Sequence, residues 1–149
     1  MSSRAVLRRI LLAEDDPNDV ELTLTAFEDC RLANRVDVVC DGQEAWDYLT
    51  CTGNYEGRTT GLPAVVLMDI KMPKLNGLEV LKRIRETESM RHLPVVMLTS
   101  SRMESDLLAG YSLGANAYVV KPVQFDEFAE AVRQLGIFWA VVNEIPPED

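Results

Sequence analysis

Acidic side chains follow two of the apolar runs in this sequence, and a hydroxyl and a lysine follow two others. Glu14 and Asp15 come directly after ILLA, and Asp69 comes after VVLM. Thr99 follows VVML, and Lys121 follows YVV. Carboxylates that lie close together repel one another and cannot all stay ionised unaided. A hard divalent cation relieves this repulsion, and Mg²⁺ typically binds one or two carboxylates together with waters and phosphate oxygens.

These residues would suffice for the transfer of a phosphoryl group. An Asp carboxylate can attack phosphorus and form an aspartyl phosphate. The transfer then needs positive charge and hydrogen-bond donors around the phosphoryl oxygens, which a metal, a hydroxyl and a lysine supply. Each residue alone has a simpler explanation, such as a helix cap for Thr99 or a surface turn for the Lys-Pro pair. Their joint position at the ends of four apolar runs favours the chemical interpretation.

Five short apolar runs alternate with stretches of helical periodicity, and they must position these residues. The runs cover residues 10–13, 36–40, 64–68, 94–98 and 117–120. Near-continuous apolar runs are typical of strands buried on both faces, as in a parallel sheet. Asp16 and Pro17 suit the cap and the first position of the helix that follows the first run. We therefore expect an α/β doubly wound sheet of five strands and five helices, with its ligands beyond the carboxyl ends of the strands.

Composition excludes several classes of protein. The 149 residues fit one domain, and the net charge of −9 argues against binding to nucleic acid or to anionic membranes. No apolar run approaches the 18 residues of a membrane span. The three cysteines, Cys30, Cys40 and Cys51, match no zinc or redox spacing. A reducing cytoplasmic location is therefore expected.

The chain divides into a short N-terminal extension (1–7), a folded domain (8–135) and an apolar C-terminal tail (136–149). Residues 50–62 contain three Gly and four Thr, which predicts an extended loop between the second helix and the third strand. The tail carries Phe138, Val141 or Val142, and Ile145 at helical spacing.

Four segments together resemble the receiver domain of bacterial two-component response regulators. They are ILLAEDDPND, VVLMDIKMPKLNGLEVL, PVVMLTSS and GANAYVVKP. Their order and spacing are those of receivers, and the resemblance covers roughly residues 8–135. It implies a flavodoxin-like fold with strand order 2-1-3-4-5, the order given for a chemotaxis receiver among known doubly wound folds.

The resemblance implies a role for each strand-end residue. Asp69 would be the phosphoacceptor. Asp15 would bind Mg²⁺ directly, and Glu14 would act on the metal through a bound water. Thr99 and Lys121 would hold the phosphoryl oxygens.

The resemblance also implies backbone groups and a switch residue. The backbone carbonyl of Lys71, two residues past the acceptor, would bind the metal. The N–H groups near Ile70 and Ser100 would help to hold the phosphoryl group. Tyr118 matches the aromatic residue that, in the family, turns inward as Thr99 moves toward the phosphate, although a plain aromatic at the sheet edge is the alternative.

As a receiver, the chain would take its phosphoryl group from the phosphohistidine of a sensor histidine kinase and then change its protein contacts. It would be no enzyme beyond this self-catalysed transfer and slow autodephosphorylation. Slow hydrolysis is expected because Lys71 and Ser101, which should flank the path of the attacking water, are poorly suited to orient it. The sequence contains one histidine, His92, which precedes the fourth run and is expected at the opposite end of the sheet from Asp69.

A narrower resemblance is to the small stand-alone response regulators paired with bacterial phytochrome histidine kinases. It rests on the long loop, on the absence of an output domain and on the tail sequence GIFWAVVNEIP. The tail would form a homodimer through Phe138, Trp139 and Val142, because an exposed apolar patch of this kind demands a partner. A tail folded back over its own last or first helix is the alternative.

Three other functions fit the sequence less well. An aspartate-nucleophile phosphatase would need a second Asp two residues after the nucleophile, where this chain has Lys71. A flavin or nucleotide binder would need a phosphate-binding loop after the first strand, and EDDP has the wrong charge for one. A degenerate receiver acting as a scaffold would lack some of the key residues, and all five are present.

Overall fold

The computed structural model describes residues 8–29, 34–109 and 114–134. Within them, five strands alternate with five α-helices, as expected. The elements are β1 (Ile10–Ala13), α1 (Pro17–Asp29), β2 (Val36–Val39), α2 (Gly42–Thr50), β3 (Val65–Asp69), α3 (Gly77–Glu86), β4 (Val95–Thr99), α4 (Arg102–Ala109), β5 (Ala117–Val120) and α5 (Phe125–Gln134). The bounds of the five strands agree with those of the predicted apolar runs to within one residue.

The strands form one parallel sheet in the order β2-β1-β3-β4-β5. The order reverses between β1 and β3, which pair with Ala13 opposite Met68. The central strands β1, β3 and β4 are buried at every position, which explains why their sequences are continuous apolar runs rather than alternating ones. The predicted flavodoxin-like, doubly wound arrangement is confirmed.

Successive residues of each strand point to opposite faces of the sheet. Leu11 packs into a core shared with α2 and α3, whereas Leu12 packs against α1 and α5. On the second face, the ring of Phe27 from α1 meets that of Phe128 from α5 at 4.8 Å between centroids. Helices thus cover both faces, and the loops at the carboxyl ends of the strands stay accessible.

The segment 50–62 is more compact than the extended loop that its Gly and Thr content predicts. A 3₁₀ turn forms at Gly53–Tyr55. The guanidinium of Arg58 donates to the backbone carbonyl oxygens of Tyr48 and Gly61 and lies 4.0 Å above the ring of Tyr48. The contacts with Tyr48 fold the loop back onto α2.

Within the part of the chain that the structure describes, no helix is long and apolar enough to cross a membrane. Cys40 and Cys51 are free thiols. The tail, 136–149, lies outside the described residues, and so do Cys30 and the predicted dimer residues Phe138, Trp139 and Val142.

Candidate functional site

The carboxyl ends of the strands bring the predicted residues to one side of the sheet, here called the carboxyl edge. Asp69 and Thr99 are the last residues of β3 and β4, and Glu14 follows β1 directly. Lys121 follows β5. Parallel strands make this unavoidable, because all their carboxyl ends lie at the same edge.

Three carboxylates converge at this edge. Glu14, Asp15 and Asp69 each place an oxygen within 4.8 Å of the others. Glu14 is 1% exposed and Asp69 is 6% exposed, whereas Asp15 is open to solvent. The group therefore has a buried floor and an accessible side.

Lys121 compensates part of this negative charge. Its Nζ lies 2.9 Å from Oδ2 of Asp69, 3.3 Å from Oε1 of Glu14 and 3.0 Å from Oδ2 of Asp19. Burial alone would lower the pKa of Lys121, but hydrogen bonds to Asp69 and Asp19 and the nearby carboxylate charges raise it above its ordinary value. The ammonium group is therefore a permanent cation beside Asp69.

Glu14 is the carboxyl group whose ionisation is most strongly disfavoured. Burial raises the pKa of Glu14 to about 7, and its hydrogen bond with Asp69 adds to the rise. The backbone N–H of Asp16 donates to Oε2 of Glu14 at 3.1 Å and opposes the shift. The charge of Lys121 thus lowers the pKa of Glu14 but offsets the effect of burial only in part.

The backbone amide that contacts the Asp69 carboxylate is that of Lys71. The N–H of Ile70 is engaged with the carbonyl of Leu98 at 3.3 Å, because β3 and β4 continue their ladder to that point. The N–H of Lys71, one residue later, donates to Oδ1 of Asp69 at 3.3 Å. Lys71 therefore supplies the donor that was expected near Ile70.

Two hydrogen-bond donors lie at the end of β4, the hydroxyl of Thr99 and the N–H of Ser100. Both have partners in the segment that leads into α4 or in its first turn. The hydroxyl of Thr99 donates to the carbonyl of Ser101 at 3.2 Å. The N–H of Ser100 donates to a carboxylate oxygen of Glu104 at 3.0 Å. Both groups lie at the carboxyl edge, but in this arrangement neither is directed at Asp69.

The N-terminus of α3 packs closely against the acceptor strand. The N–H of Gly77 donates to the carbonyl of Ile70 at 2.7 Å. A β-carbon at Gly77 would overlap the carbonyl oxygen of Asp69 and crowd the terminal methyl group of Met97. Glycine is therefore required for this close approach.

Tyr118 and His92 lie where the sequence indicated. The half-buried Tyr118 donates its hydroxyl proton to the carbonyl of Leu108 in α4 at 3.4 Å, so it links β5 to that helix. His92 is exposed and precedes β4, which places it at the opposite end of the sheet from Asp69.

Sequence reasoning missed two residues of the site, Asp19 and Glu104. Asp19 lies four residues after Asp15, in the first turn of α1, and Asp15 itself precedes that helix. Glu104 lies three residues after Ser101, which is the spacing of a capping box. Both spacings are visible in the sequence, but neither indicates that these carboxylates reach groups at the carboxyl edge.

The oxygen-only donor set fits a hard divalent cation. Such ions prefer carboxylate, carbonyl and water ligands, and Glu14, Asp15 and Asp69 offer three carboxylates at close range. Burial is the main cause of the raised pKa of Glu14, and the charge of Asp69 contributes less. A cation bound here would offset the negative charge of the group.

Comparisons with known proteins agree with this site. The sequence matches the response regulator receiver domain over residues 10–133. The bacteriophytochrome response regulator AtBRR has a solved structure, is 58% identical and superposes with a TM-score of 0.87 over 94% of this chain and 100% of that chain. The phosphorylated cyanobacterial phytochrome response regulator RcpA is 31% identical, with a TM-score of 0.70 over 90% of this chain and 94% of that chain.

A third relative is the probable methanogenesis regulatory protein FilR2 of Methanothrix harundinacea (strain 6Ac). It is 37% identical over 92% of this chain and 86% of its own length. The receiver match spans nearly all the described residues and includes each strand-end residue of the carboxyl edge. The chain therefore belongs to the family of response regulator receiver domains, which are signalling phosphoacceptors.

Proposed function

We propose that Asp69 is the phosphoacceptor and that the reaction depends on Mg²⁺ bound by Glu14, Asp15 and Asp69. The observation that carries this proposal is the ion pair of 2.9 Å between Asp69 and Lys121 inside a group of converging carboxylates. That arrangement provides a nucleophile, a fixed cation and oxygen ligands at one accessible edge. The backbone carbonyl of Lys71 is the remaining predicted metal ligand.

In the reaction, a carboxylate oxygen of Asp69 attacks the phosphorus of a phosphohistidine on the partner kinase. The new O–P bond forms as the P–N bond breaks, and the imidazole nitrogen leaves with the electron pair. Lys121 and the N–H of Lys71 already contact the Asp69 carboxylate. They can therefore donate hydrogen bonds to the phosphoryl oxygens as negative charge develops there. When bound, the metal supplies further positive charge there. Thr99 reaches the phosphoryl group only after its hydroxyl leaves the carbonyl of Ser101.

Replacement of the acceptor tests this proposal. The protein is incubated with acetyl phosphate and Mg²⁺, and its intact mass is measured with and without a chelator. The wild-type chain should gain one phosphoryl group, and Asp69→Asn should gain none. Asp37→Asn is the matched control, because Asp37 is a carboxylate on β2 away from the carboxyl edge. Equal uptake by Asp69→Asn, or uptake that ignores the chelator, would overturn the assignment.

We propose that the donor is a sensor histidine kinase of the bacteriophytochrome class, so that the switch serves light signalling. The 58% identity to AtBRR over 94% of this chain supports this partner. The chain is also 37% identical to FilR2. The competing outcome is therefore a donor kinase outside the bacteriophytochrome class. Transfer rates from phosphorylated kinases of both classes decide between them, and faster transfer from a kinase without a phytochrome module would contradict the proposal.

We propose further that the chain works as a cytoplasmic homodimer and has no catalytic activity besides its own phosphorylation and slow dephosphorylation. The free thiols of Cys40 and Cys51 support a reducing compartment. The apolar spacing of Phe138, Val142 and Ile145 supports association through the tail.

A further inference from the structure

The turn between β4 and α4 places a carboxylate on an amide at the carboxyl edge. Oε1 of Glu104 accepts a hydrogen bond from the N–H of Ser100 at 3.0 Å and another from the Ser100 hydroxyl at 3.2 Å. The N–H of Glu104 in turn donates to Oγ of Ser101 at 3.1 Å. The first turn of α4 is thereby tied to the end of β4.

This arrangement differs from an ordinary capping box. In a capping box, the acidic residue at the third helical position accepts from the N–H of the capping residue itself. Helix α3 follows that rule, because Asn76 and Glu79 each accept from the other's N–H at 2.9 Å. In α4 the capping residue is Ser101, yet Glu104 reaches one residue further toward the strand. Helix capping alone does not require that reach.

The geometry of the sheet explains why the N–H of Ser100 is available. The N–H of Ile70 donates to the carbonyl of Leu98 across β3 and β4. In a continuing parallel ladder, the N–H of Ser100 would next donate to the carbonyl of Ile70. That carbonyl instead accepts from Gly77 at 2.7 Å. The ladder therefore opens one residue beyond Asp69 and leaves the Ser100 amide at the carboxyl edge.

We propose that Glu104 is a positioning residue that competes with the phosphoryl group for the Ser100 amide. This inference rests on the proposed role of Asp69 as acceptor. A phosphoryl group brings a charge of about −1.5 to −2 and is stabilised by donors aimed at its oxygens. A carboxylate that holds one of those donors must leave first, because one N–H has a single strong acceptor and because two anions repel. Phosphorylation thus releases the first turn of α4.

The variant Glu104→Gln tests the competition, because it keeps the shape of the side chain and removes its charge. The probe is beryllium fluoride, added with Mg²⁺. Beryllium fluoride binds to a carboxylate oxygen as a phosphoryl group does. The dissociation constant of the probe should fall about fivefold, which corresponds to the difference between a charged and a neutral hydrogen-bond acceptor. The initial rate of labelling by acetyl phosphate should rise by a similar factor. Glu104→Ala should change both values in the same direction.

Glu86→Gln, an equal charge change at the exposed C-terminus of α3, is the matched control and should leave both values unchanged. A role for Glu104 in helix capping alone predicts a lower melting temperature with no gain in probe affinity, and that result would overturn the inference. Failure of the wild-type protein to take up label on Asp69 would overturn the proposed function, and this inference with it. Normal wild-type labelling with unchanged affinity in both Glu104 variants would overturn the inference alone.

Discussion

Glu14 is the residue at which the electrostatics of the site are most sensitive to pH. It is almost fully buried, and burial with its hydrogen bond to Asp69 raises its pKa to about 7. A proton on Glu14, the ammonium group of Lys121 and a bound cation are three ways to offset the same negative charge. When the cation is removed, the stability of the folded protein therefore depends on the proton of Glu14.

In the absence of divalent cations, Glu14→Gln should stabilise the protein at neutral pH. The unfolded chain loses the Glu14 proton near pH 4.5, whereas the folded chain keeps it until about pH 7. The free energy of unfolding of the wild-type protein therefore falls as pH rises between these values. Melting temperatures in EDTA should differ by about 4 °C at pH 8, and the difference should shrink toward pH 4.5. A pH-independent difference, or one matched by Glu28→Gln on the exposed face of α1, would contradict the prediction.

We predict that the lifetime of the phosphorylated protein depends on Lys71. Its N–H contacts the acceptor, and its exposed side chain flanks the expected approach of water. We expect a lysine there to contact the phosphoryl group and to orient water poorly, whereas an asparagine carboxamide can hold a water in line. The decay of the phosphoprotein, followed by intact mass after removal of the donor, should be about fivefold faster in Lys71→Asn. Lys82→Asn, on the exposed face of α3, is the control, and slower decay in Lys71→Asn would be the contrary result.

Helix α3 fixes the position of the acceptor by contact with the backbone of β3. Gly77 begins the helix, donates to the carbonyl of Ile70 and leaves no room for a side chain beside Asp69. The capping box of Asn76 and Glu79 holds this helix start in place. Helix α3 therefore restricts the position of the Asp69 backbone.

Gly77→Ala should both destabilise the protein and slow its phosphorylation. The added methyl group must displace the Asp69 backbone or the helix, and overpacking of this kind costs about 2 kcal/mol. Urea unfolding and the initial labelling rate with acetyl phosphate measure the two effects. Gly57→Ala is the control, because its methyl group would meet no atom within 4 Å. An unchanged labelling rate in Gly77→Ala would show that α3 does not position the acceptor.

The strands and their terminal residues could be predicted from the sequence. A parallel sheet covered on both faces demands continuous apolar runs, and the residue that ends each run must then lie at the carboxyl edge. Glu14, Asp69, Thr99 and Lys121 were found in this way. Their interpretation as a receiver site needed the family resemblance as well.

Contacts that depend on the reach of a side chain could not be predicted. Asp19 meets Lys121 at a separation of 102 residues, and Glu104 bypasses the residue that a capping box would use. The guanidinium of Arg58 orders the 50–62 loop through backbone carbonyls, a contact that composition does not reveal. Sequence periodicity indicates which face of an element is buried. It does not indicate which side chains of different elements contact one another.

At the scale of the whole molecule, the tail of residues 136–149 should determine the oligomeric state. Among the described residues, α1 and α5 already cover one face of the sheet. Light scattering should find a dimer for the full chain and a folded monomer for a chain ending at Gly136. A monomeric full chain, or a truncated chain that dimerises equally well, would refute tail-mediated association.

The three ion pairs of Lys121 also bear on the order in which the site assembles during synthesis and folding. They join β5 to residues 52, 102 and 107 positions earlier in the chain, across the width of β4 and β3. Contacts of such separation carry a large loop-closure entropy and slow folding. During synthesis, the acidic group of β1 and β3 is complete long before its lysine emerges from the ribosome. The Asp69 carboxylate therefore gains the ammonium group of Lys121 only when the last strand joins the sheet.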